Sequence, residues 1–305
     1  MRNKILFFAL MWAALAMSVS GQTVSLVDSS VTPSTVTYDS YSGSDTTGPQ
    51  FTFTVKLSSQ PSKTVYFSAV INGSSSPSSR ALTSSSNTLT VGFYQDSSYN
   101  TEIKSTSDYP PYYYISGSFA RKTNILTQTF TVYPLLAKGQ SVPWGTYTGT
   151  FSIRLYQSST PTGTLRDSET IYYTANVDQT IDVRVGSSGG SYDTGESSYN
   201  IALGDLSQGP TGSFGIFVRG NTAYTLYMNV TSGGYLTSTT TSDKVRYSLT
   251  INGISYTLGP SVIIDRQTSK AMYSKVLLGE ISVPSGQDVE AGQYSDIVSF
   301  SVVAN

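Results

Sequence analysis

The side chains in this sequence best suited to chemistry are its tyrosines, and the chemistry they suit is contact rather than catalysis. The chain has 23 Tyr, 12 Phe and 2 Trp in 305 residues, with no histidine and no cysteine. Without histidine there is no Ser–His or Cys–His nucleophile pair, the commonest general base is missing, and most zinc sites are excluded. Two-carboxylate hydrolysis is formally open to 19 acidic residues, but no acidic pair has a recognisable motif, and Asp96 with Glu102 is a chance spacing. Residues 39–45 (DSYSGSD) lack the pattern and closing bidentate acid of a calcium loop and read as a polar loop. No cofactor, no metal and no enzymatic activity is expected. The tripeptides starting at Asn72 and Asn229 fit the glycosylation sequon.

Contact chemistry concentrates in residues 108–116, DYPPYYYIS. Pro110 and Pro111 cannot sit in a central strand and favour a stiff, extended loop. Tyr109, Tyr112, Tyr113, Tyr114 and Ile115 would then form a rigid aromatic surface, since Tyr offers a large apolar face and a hydroxyl at low entropic cost. The competing reading has these rings begin a strand and fill the end of a sandwich. Residues 134–144 (PLLAKGQSVPW) are a second candidate through Leu135, Leu136 and Trp144, with a structural turn as the competing reading. Residues 72–80 form a third, Ser-rich loop with little binding character.

The elements that must hold these loops are strands. Ser, Thr, Gly, Tyr and β-branched residues dominate, and no long amphipathic helical pattern follows the N-terminus. The aromatic content argues against disorder. Charged residues are 12% and net charge is −1, so no basic stripe runs along the sequence and nucleic acid is not an expected partner. Residues 1–21 read as a secretory signal: Arg2 and Lys4, an apolar run over 5–16, then small Ser18, Ser20 and Gly21. That run is short for a membrane span. The mature chain is therefore expected outside the inner membrane. An exported chain without cysteine must be stabilised by sheet packing or by another chain, not by disulfides.

Strands are expected at 23–27, 50–57, 64–71, 88–94, 112–119, 125–133, 146–156 and 169–175. A second series follows at 180–185, 199–206, 212–218, 222–230, 245–251, 254–258, 275–283 and 293–303, and residues 36–48 read as loop. Short strands at this spacing with Gly/Pro turns predict an all-β protein of two tandem immunoglobulin-like sandwiches. The domains fall at 22–175 and 176–305, and 186–196 is a loop inside the second.

An internal repeat ties the halves together. Residues 139–155 (GQSVPWGTYTGTFSIRL) and 286–302 (GQDVEAGQYSDIVSFSV) superpose Gly139 on Gly286, Gln140 on Gln287, Val142 on Val289, Gly145 on Gly292 and Tyr147 on Tyr294. About twenty strand-like residues follow the first copy, whereas the sequence ends at Asn305 shortly after the second.

Three stretches carry a family resemblance: residues 201–230 (IALGDLSQGPTGSFGIFVRGNTAYTLYMNV), 245–258 (VRYSLTINGISYTL), and the terminal phrase with Ala291, Gly292, Tyr294 and Asp296. They resemble the spore coat protein U family, subunits of archaic (Csu-type) chaperone–usher pili. The resemblance covers most of 176–305 and, in the first half, only the echo at residues 135–151. Family members usually carry a cysteine pair, which this chain lacks.

The resemblance implies a second sandwich one strand short. Tyr294, Val298, Phe300 and Val302 would line an acceptor edge filled by donor-strand complementation, first by a periplasmic chaperone, then by the N-terminal strand of the next pilus subunit, with an outer-membrane usher as assembly partner. The first sandwich, closed by its own last strand, would be the receptor domain of a two-domain tip adhesin, binding an unknown surface receptor. Whether residues 23–27 serve as a donor strand stays open. So do two rival readings, a surface or coat protein of two closed sandwiches and a secreted carbohydrate-binding module.

Overall fold

The alternation that marks strands in the sequence becomes an alternation of burial. The computed structural model describes residues 21–27, 34–108 and 113–305; the signal-like residues 1–20 lie outside it. Phe51, Phe53, Val55 and Leu57 of one strand are buried, while the residues between them are more open, as a half-buried strand requires.

The first sandwich is built from β1 (Val24–Val27), β2 (Ser34–Tyr38), β3 (Phe51–Leu57), β4 (Val65–Gly73), β5 (Ile115–Phe119), β6 (Thr127–Leu136), β7 (Gly145–Tyr156) and β8 (Leu165–Val177). One sheet runs β1-β3-β6, with the short strands Thr46–Thr47 and Gly92–Tyr94 on the last part of β6. The other runs β2-β8-β7-β4-β5, with Ala81–Ser84 attached to β7 and Asn87–Thr90 paired in turn with Ala81–Ser84. A single aromatic-rich core lies between the sheets, where Phe93 packs edge-on against Phe51, Phe151 and Tyr173.

The second sandwich comprises β9 (Ile181–Gly186), β10 (Thr211–Gly220), β11 (Tyr224–Val230), β12 (Ser248–Ile251), β13 (Val262–Gln267), β14 (Tyr273–Ser282) and β15 (Val298–Ala304). Its sheets run β9-β10-β14-β12 and β13-β11-β15. A small sheet of Lys244–Arg246, Tyr235–Ser238 and Tyr294–Ser295 closes one side. The pairing β3-β6 in the first sandwich matches β10-β14 in the second, and β4-β7 matches β11-β15.

The sequence repeat is a repeat of geometry. Gly139 and Gly286 both take a left-handed backbone, φ 77° and 76°, which a residue with a Cβ adopts poorly. Next to them, Gln140 exchanges two hydrogen bonds with the backbone of Thr90 and a third with Ala137 O. Gln287 does the same with Arg246 and Pro284 O.

Several expectations need correction. Residues 36–48 are not all loop, because Val36 and Tyr38 bury their side chains in β2, which runs parallel to β8. Residues 199–206 form no strand. Ile201, Leu203 and Leu206 lean on the second core from a loop that ends in a 3-10 turn capped by Asp205. The strand β13 was not anticipated, since only Ile264 of VIIDRQ is buried. Residues 88–94 hold two strands that join different sheets on either side of Val91. Finally, β8 runs to the buried Val177, so the junction falls at 178–180 rather than 175/176.

That junction is tied by Asn221, itself fully buried. Its side chain donates to Asp178 O at 2.7 Å and accepts from Thr180 N at 2.8 Å, and its backbone carbonyl accepts from Trp144 N at 3.1 Å.

Candidate functional site

The first sandwich shows what a filled sheet edge looks like in this chain. There β8 pairs antiparallel with β7 along one edge and parallel with β2 along the other, so the edge of β7 is covered. In the second sandwich β15 pairs with β11, and among the described residues no strand pairs with its other edge. Across that gap lies β9, the outermost strand of the facing sheet. Its far edge carries one bridge, between Val185 and Glu196. An uncovered edge of this kind presents a row of free backbone donors and acceptors.

Burial measures the consequence. Tyr147, Phe151, Ile153 and Leu155 of β7 are at most 1% exposed. Their counterparts in the repeat, Tyr294, Val298, Phe300 and Val302, are only half-buried. The ring of Phe300 lies 5.9 Å from that of Phe214, and Ile181 and Val183 of β9 lean on the same core. The inner side of the uncovered β15 edge is thus apolar and incompletely buried, with β9 alongside it. Tyr294 sits beyond this edge, in the short strand Tyr294–Ser295 paired with Tyr235–Ser238. Between the two, Asp296 accepts hydrogen bonds from Tyr247 Oη at 2.6 Å and from Ser232 Oγ. Burial, reinforced by the Asp296 carboxylate, pushes the Tyr247 hydroxyl up, so it stays a donor.

The proposed contact residues of the first sandwich are scattered. Tyr109, Pro110, Pro111 and Tyr112 lie outside the described residues. Tyr113 is exposed, with Lys104 Nζ 5.9 Å from its ring centroid, and Tyr114 is half-buried. Ile115 is 4% exposed, an inward residue of β5. Leu136 is fully buried at the end of β6, beside the half-buried Leu135. Ile115 and Leu136 thus belong to the core, because strand alternation turns them inward, and neither can touch a receptor. Trp144 faces the second sandwich, its indole 4.2 Å from Lys270 Nζ.

Sequence reasoning placed a boundary near residue 176 but missed the contacts that hold the junction. Arg219 of β10 stacks between Tyr41 of the first sandwich (4.9 Å) and Tyr192 of the second (3.9 Å), and it pairs with Asp193 at 3.0 Å. Among the described residues no cluster of three or more acids could hold a metal, and no helix is long and apolar enough to cross a membrane.

Two immunoglobulin-like sandwiches in tandem, one closed by its own strand and one open at the corresponding edge, define the class. The Spore Coat Protein U domain model matches residues 18–154 of the chain. The match falls on the first sandwich and ends within β7, before β8; the resemblance read from sequence lay chiefly in the second sandwich, which shares the repeat. No match was found among curated proteins. Among solved structures, the chain is similar to the CsuC–CsuE chaperone–tip adhesion subunit pre-assembly complex of Acinetobacter baumannii. Identity is 15%, covering 88% of this chain and 97% of that one, with TM-score 0.43. It is also similar to the CupB6 tip adhesin of Pseudomonas aeruginosa, at 11% identity, 92% and 93% coverage and TM-score 0.39. The CFA/I adhesin CfaE of enterotoxigenic Escherichia coli is similar at 11% identity, 90% and 99% coverage and TM-score 0.32.

Proposed function

We propose that this protein is the tip adhesin of a chaperone–usher pilus. The first sandwich meets the surface, and the second joins the pilus by accepting a strand between β9 and β15. The observation that carries the reading is the contrast within one chain, in which Phe151, Ile153 and Leu155 are buried under β8 while Val298, Phe300 and Val302 wait half-buried at the same positions. The match of the Spore Coat Protein U domain model to residues 18–154 supports a place in the pilus. Each inward side chain covered by an added strand contributes roughly 1.5–3 kcal/mol, so four or five are comparable with the whole stability of a small domain.

The tip position is favoured by β1. Val24 is buried and residues Val24–Val27 pair with β3, so this strand is used inside its own sandwich and is not free to be donated. The partners that follow are a periplasmic chaperone, the outer-membrane usher, and the N-terminal strand of the adjoining subunit. Display is at the cell surface, with the receptor contacted from the first sandwich through Tyr113 and the adjoining 109–112 segment.

The chain supplies its own probe. A copy of residues 157–177, which covers the corresponding edge in the first sandwich, is appended after Asn305. The expected result is a higher melting temperature for the second sandwich and slower amide exchange at Val298, Phe300 and Val302, with no effect from a scrambled copy. A second sandwich that is monomeric, fully protected at β15 and indifferent to both the copy and a co-expressed chaperone would sink the reading.

A further inference from the structure

The strand directions place three loops at the end of the first sandwich farthest from the junction, namely residues 58–64, 120–126 and 157–164. They are stitched together. Gln60 Nε2 donates to Lys122 O at 3.2 Å and to Asn124 Oδ1 at 2.9 Å, Lys122 N donates to Pro61 O at 2.8 Å, and Gln157 Nε2 donates to Gln22 O at 2.8 Å. Lys122 holds a left-handed backbone, φ 60°, uncommon for a residue with a side chain.

Five cations, Lys56, Lys63, Arg121, Lys122 and Arg166, gather on this end, all exposed, and no ion pair among the described residues involves any of them. Two acids lie near, Asp167, which accepts from Leu26 N and Ser168 N, and the half-buried Glu169, and they offset two of the five positive charges. The end therefore carries a positive field on a chain whose net charge is −1.

Beside the cations is a shallow hollow of about 250 Å³ lined by Tyr66, Ser116, Gly117, Ser118 and Ser159. The Tyr66 side chain is 54% exposed. Gly117 contributes only backbone to the hollow, since a Cβ there would point inward, 2.3 Å from the buried Phe67 ring. An aromatic face over hydroxyls suits a sugar ring. Lys63, Arg121 and Lys122 in two of the loops, and Arg166 just after the third, suit carboxylate or sulfate groups on that sugar. A nucleic acid would ask instead for a long basic stripe or a ladder of stacking rings, and this end has one exposed tyrosine.

We infer that the far end of the first sandwich binds an acidic polysaccharide, with Tyr66 stacking on a sugar ring and Lys63, Arg121, Lys122 and Arg166 meeting its anionic groups. The inference rests on the proposed outward orientation of this domain, but its test is independent of donor-strand binding. The full chain is titrated with polygalacturonate and heparin, with neutral dextran, double-stranded DNA and phosphatidylglycerol vesicles as comparisons. Binding of at least one acidic polysaccharide is expected, weakening with salt. Lys63→Glu with Arg121→Glu and Lys122→Glu should weaken it more than tenfold and flatten its salt dependence by roughly two to three units of log–log slope, at about 0.9 per lost contact. Tyr66→Ser should weaken it several-fold while leaving the slope unchanged. All four positions are exposed, so an unaltered melting temperature separates loss of the site from loss of fold. No polysaccharide binding, binding unaffected by the triple change, or DNA or vesicle binding of equal strength with no effect of Tyr66→Ser would each overturn the inference. If the appended-strand experiment succeeds while this one fails, the pilus reading stands and this ligand falls.

Discussion

Tyr147 and Tyr294 make the same hydrogen bond in the two sandwiches: each hydroxyl donates to the carbonyl oxygen four residues earlier, Pro143 O at 2.8 Å and Glu290 O at 2.7 Å. This is the tyrosine corner of immunoglobulin-like folds, placed where the chain enters the penultimate strand. It identifies β7 and the segment leading into β15 as the same strand of the fold. The absence of a partner beyond β15 among the described residues is therefore a difference between equivalent places.

Removing the hydroxyl should accordingly have unequal effects. Tyr147 is buried, so Tyr147→Phe leaves the Pro143 carbonyl without its donor and should cost about 1–2 kcal/mol. Tyr294 is half-buried, and water can replace its hydroxyl at Glu290, so Tyr294→Phe should cost less than about 0.5 kcal/mol. Denaturant unfolding that follows each sandwich separately measures both.

The same contrast can be read in the strand itself. Ile153→Ala removes side-chain volume from a fully closed core and should cost about 2–4 kcal/mol. Phe300→Ala, at the equivalent place on the uncovered edge of β15, should cost only about 1–2 kcal/mol in the free chain, because the half-buried ring surrenders only part of its transfer free energy. With the strand of residues 157–177 appended, the loss at Phe300 should rise toward that of a closed core. An equal loss with and without the appended strand would mean that nothing packs on Phe300.

Much of this was legible from residues. The alternation of residues 51–57 survives as β3, and the repeat phrase announced the shared geometry of Gly139 and Gly286, because a left-handed turn and a twice-bonded Gln each demand one residue type. What escaped depends on contacts distant in sequence. The polar strand β2 exists because Val36 and Tyr38 find a place beside β8, and β13 exists because β11 offers an edge. Residues 199–206 looked like a strand because apolar residues can alternate in a loop that merely lies on a core. Ile115 and Leu136 looked available for contact because composition does not say which side a strand turns inward. Lys56, Lys63, Arg121, Lys122 and Arg166 are dispersed along the chain, so no basic cluster was visible until the strands brought their loops to one end.

Acid should weaken the second sandwich through Asp265. Its carboxylate pairs with Lys275 Nζ at 2.6 Å and accepts from Tyr224 Oη at 2.7 Å. Burial alone would raise its pKa, but the Lys275 and Tyr224 bonds outweigh that and hold it below the ordinary 3.8. The depressed folded value means the contribution is fully present above the unfolded pKa near 3.8 and is lost as pH falls through the lower folded value. Asp265→Asn should therefore cost about 1–2 kcal/mol at pH 7 and flatten the stability profile below about pH 4. A variant that loses stability with acid as steeply as the parent would assign the acid sensitivity to another carboxylate.

The junction should behave as a clamp that ignores pH through the neutral range. Arg219 is held between the Tyr41 and Tyr192 rings, and Tyr41 Oη lies 3.5 Å from Tyr273 O. The Tyr41 hydroxyl is pushed up to about 12, chiefly by burial, against the opposing pull of Arg219, so it keeps its proton well beyond physiological pH. Cation–π stacking of this kind is worth about 0.5–2 kcal/mol, and the Asn221 bonds to Asp178 and Thr180 hold the linker independently. Arg219→Ala should therefore leave both melting transitions nearly unchanged yet broaden the distribution of distances between labels on the two sandwiches, read by spin-label distance measurement. Arg219→Lys should restore only part of the order, since an ammonium cannot stack face to face on two rings. The parent's distribution should be the same from about pH 5 to about pH 10, because the raised Tyr41 hydroxyl keeps its proton throughout that window. If Arg219→Ala leaves the distribution as narrow as the parent's, the Asn221 linker bonds and the Trp144–Lys270 contact suffice to fix the orientation, and the arginine stack does not set it.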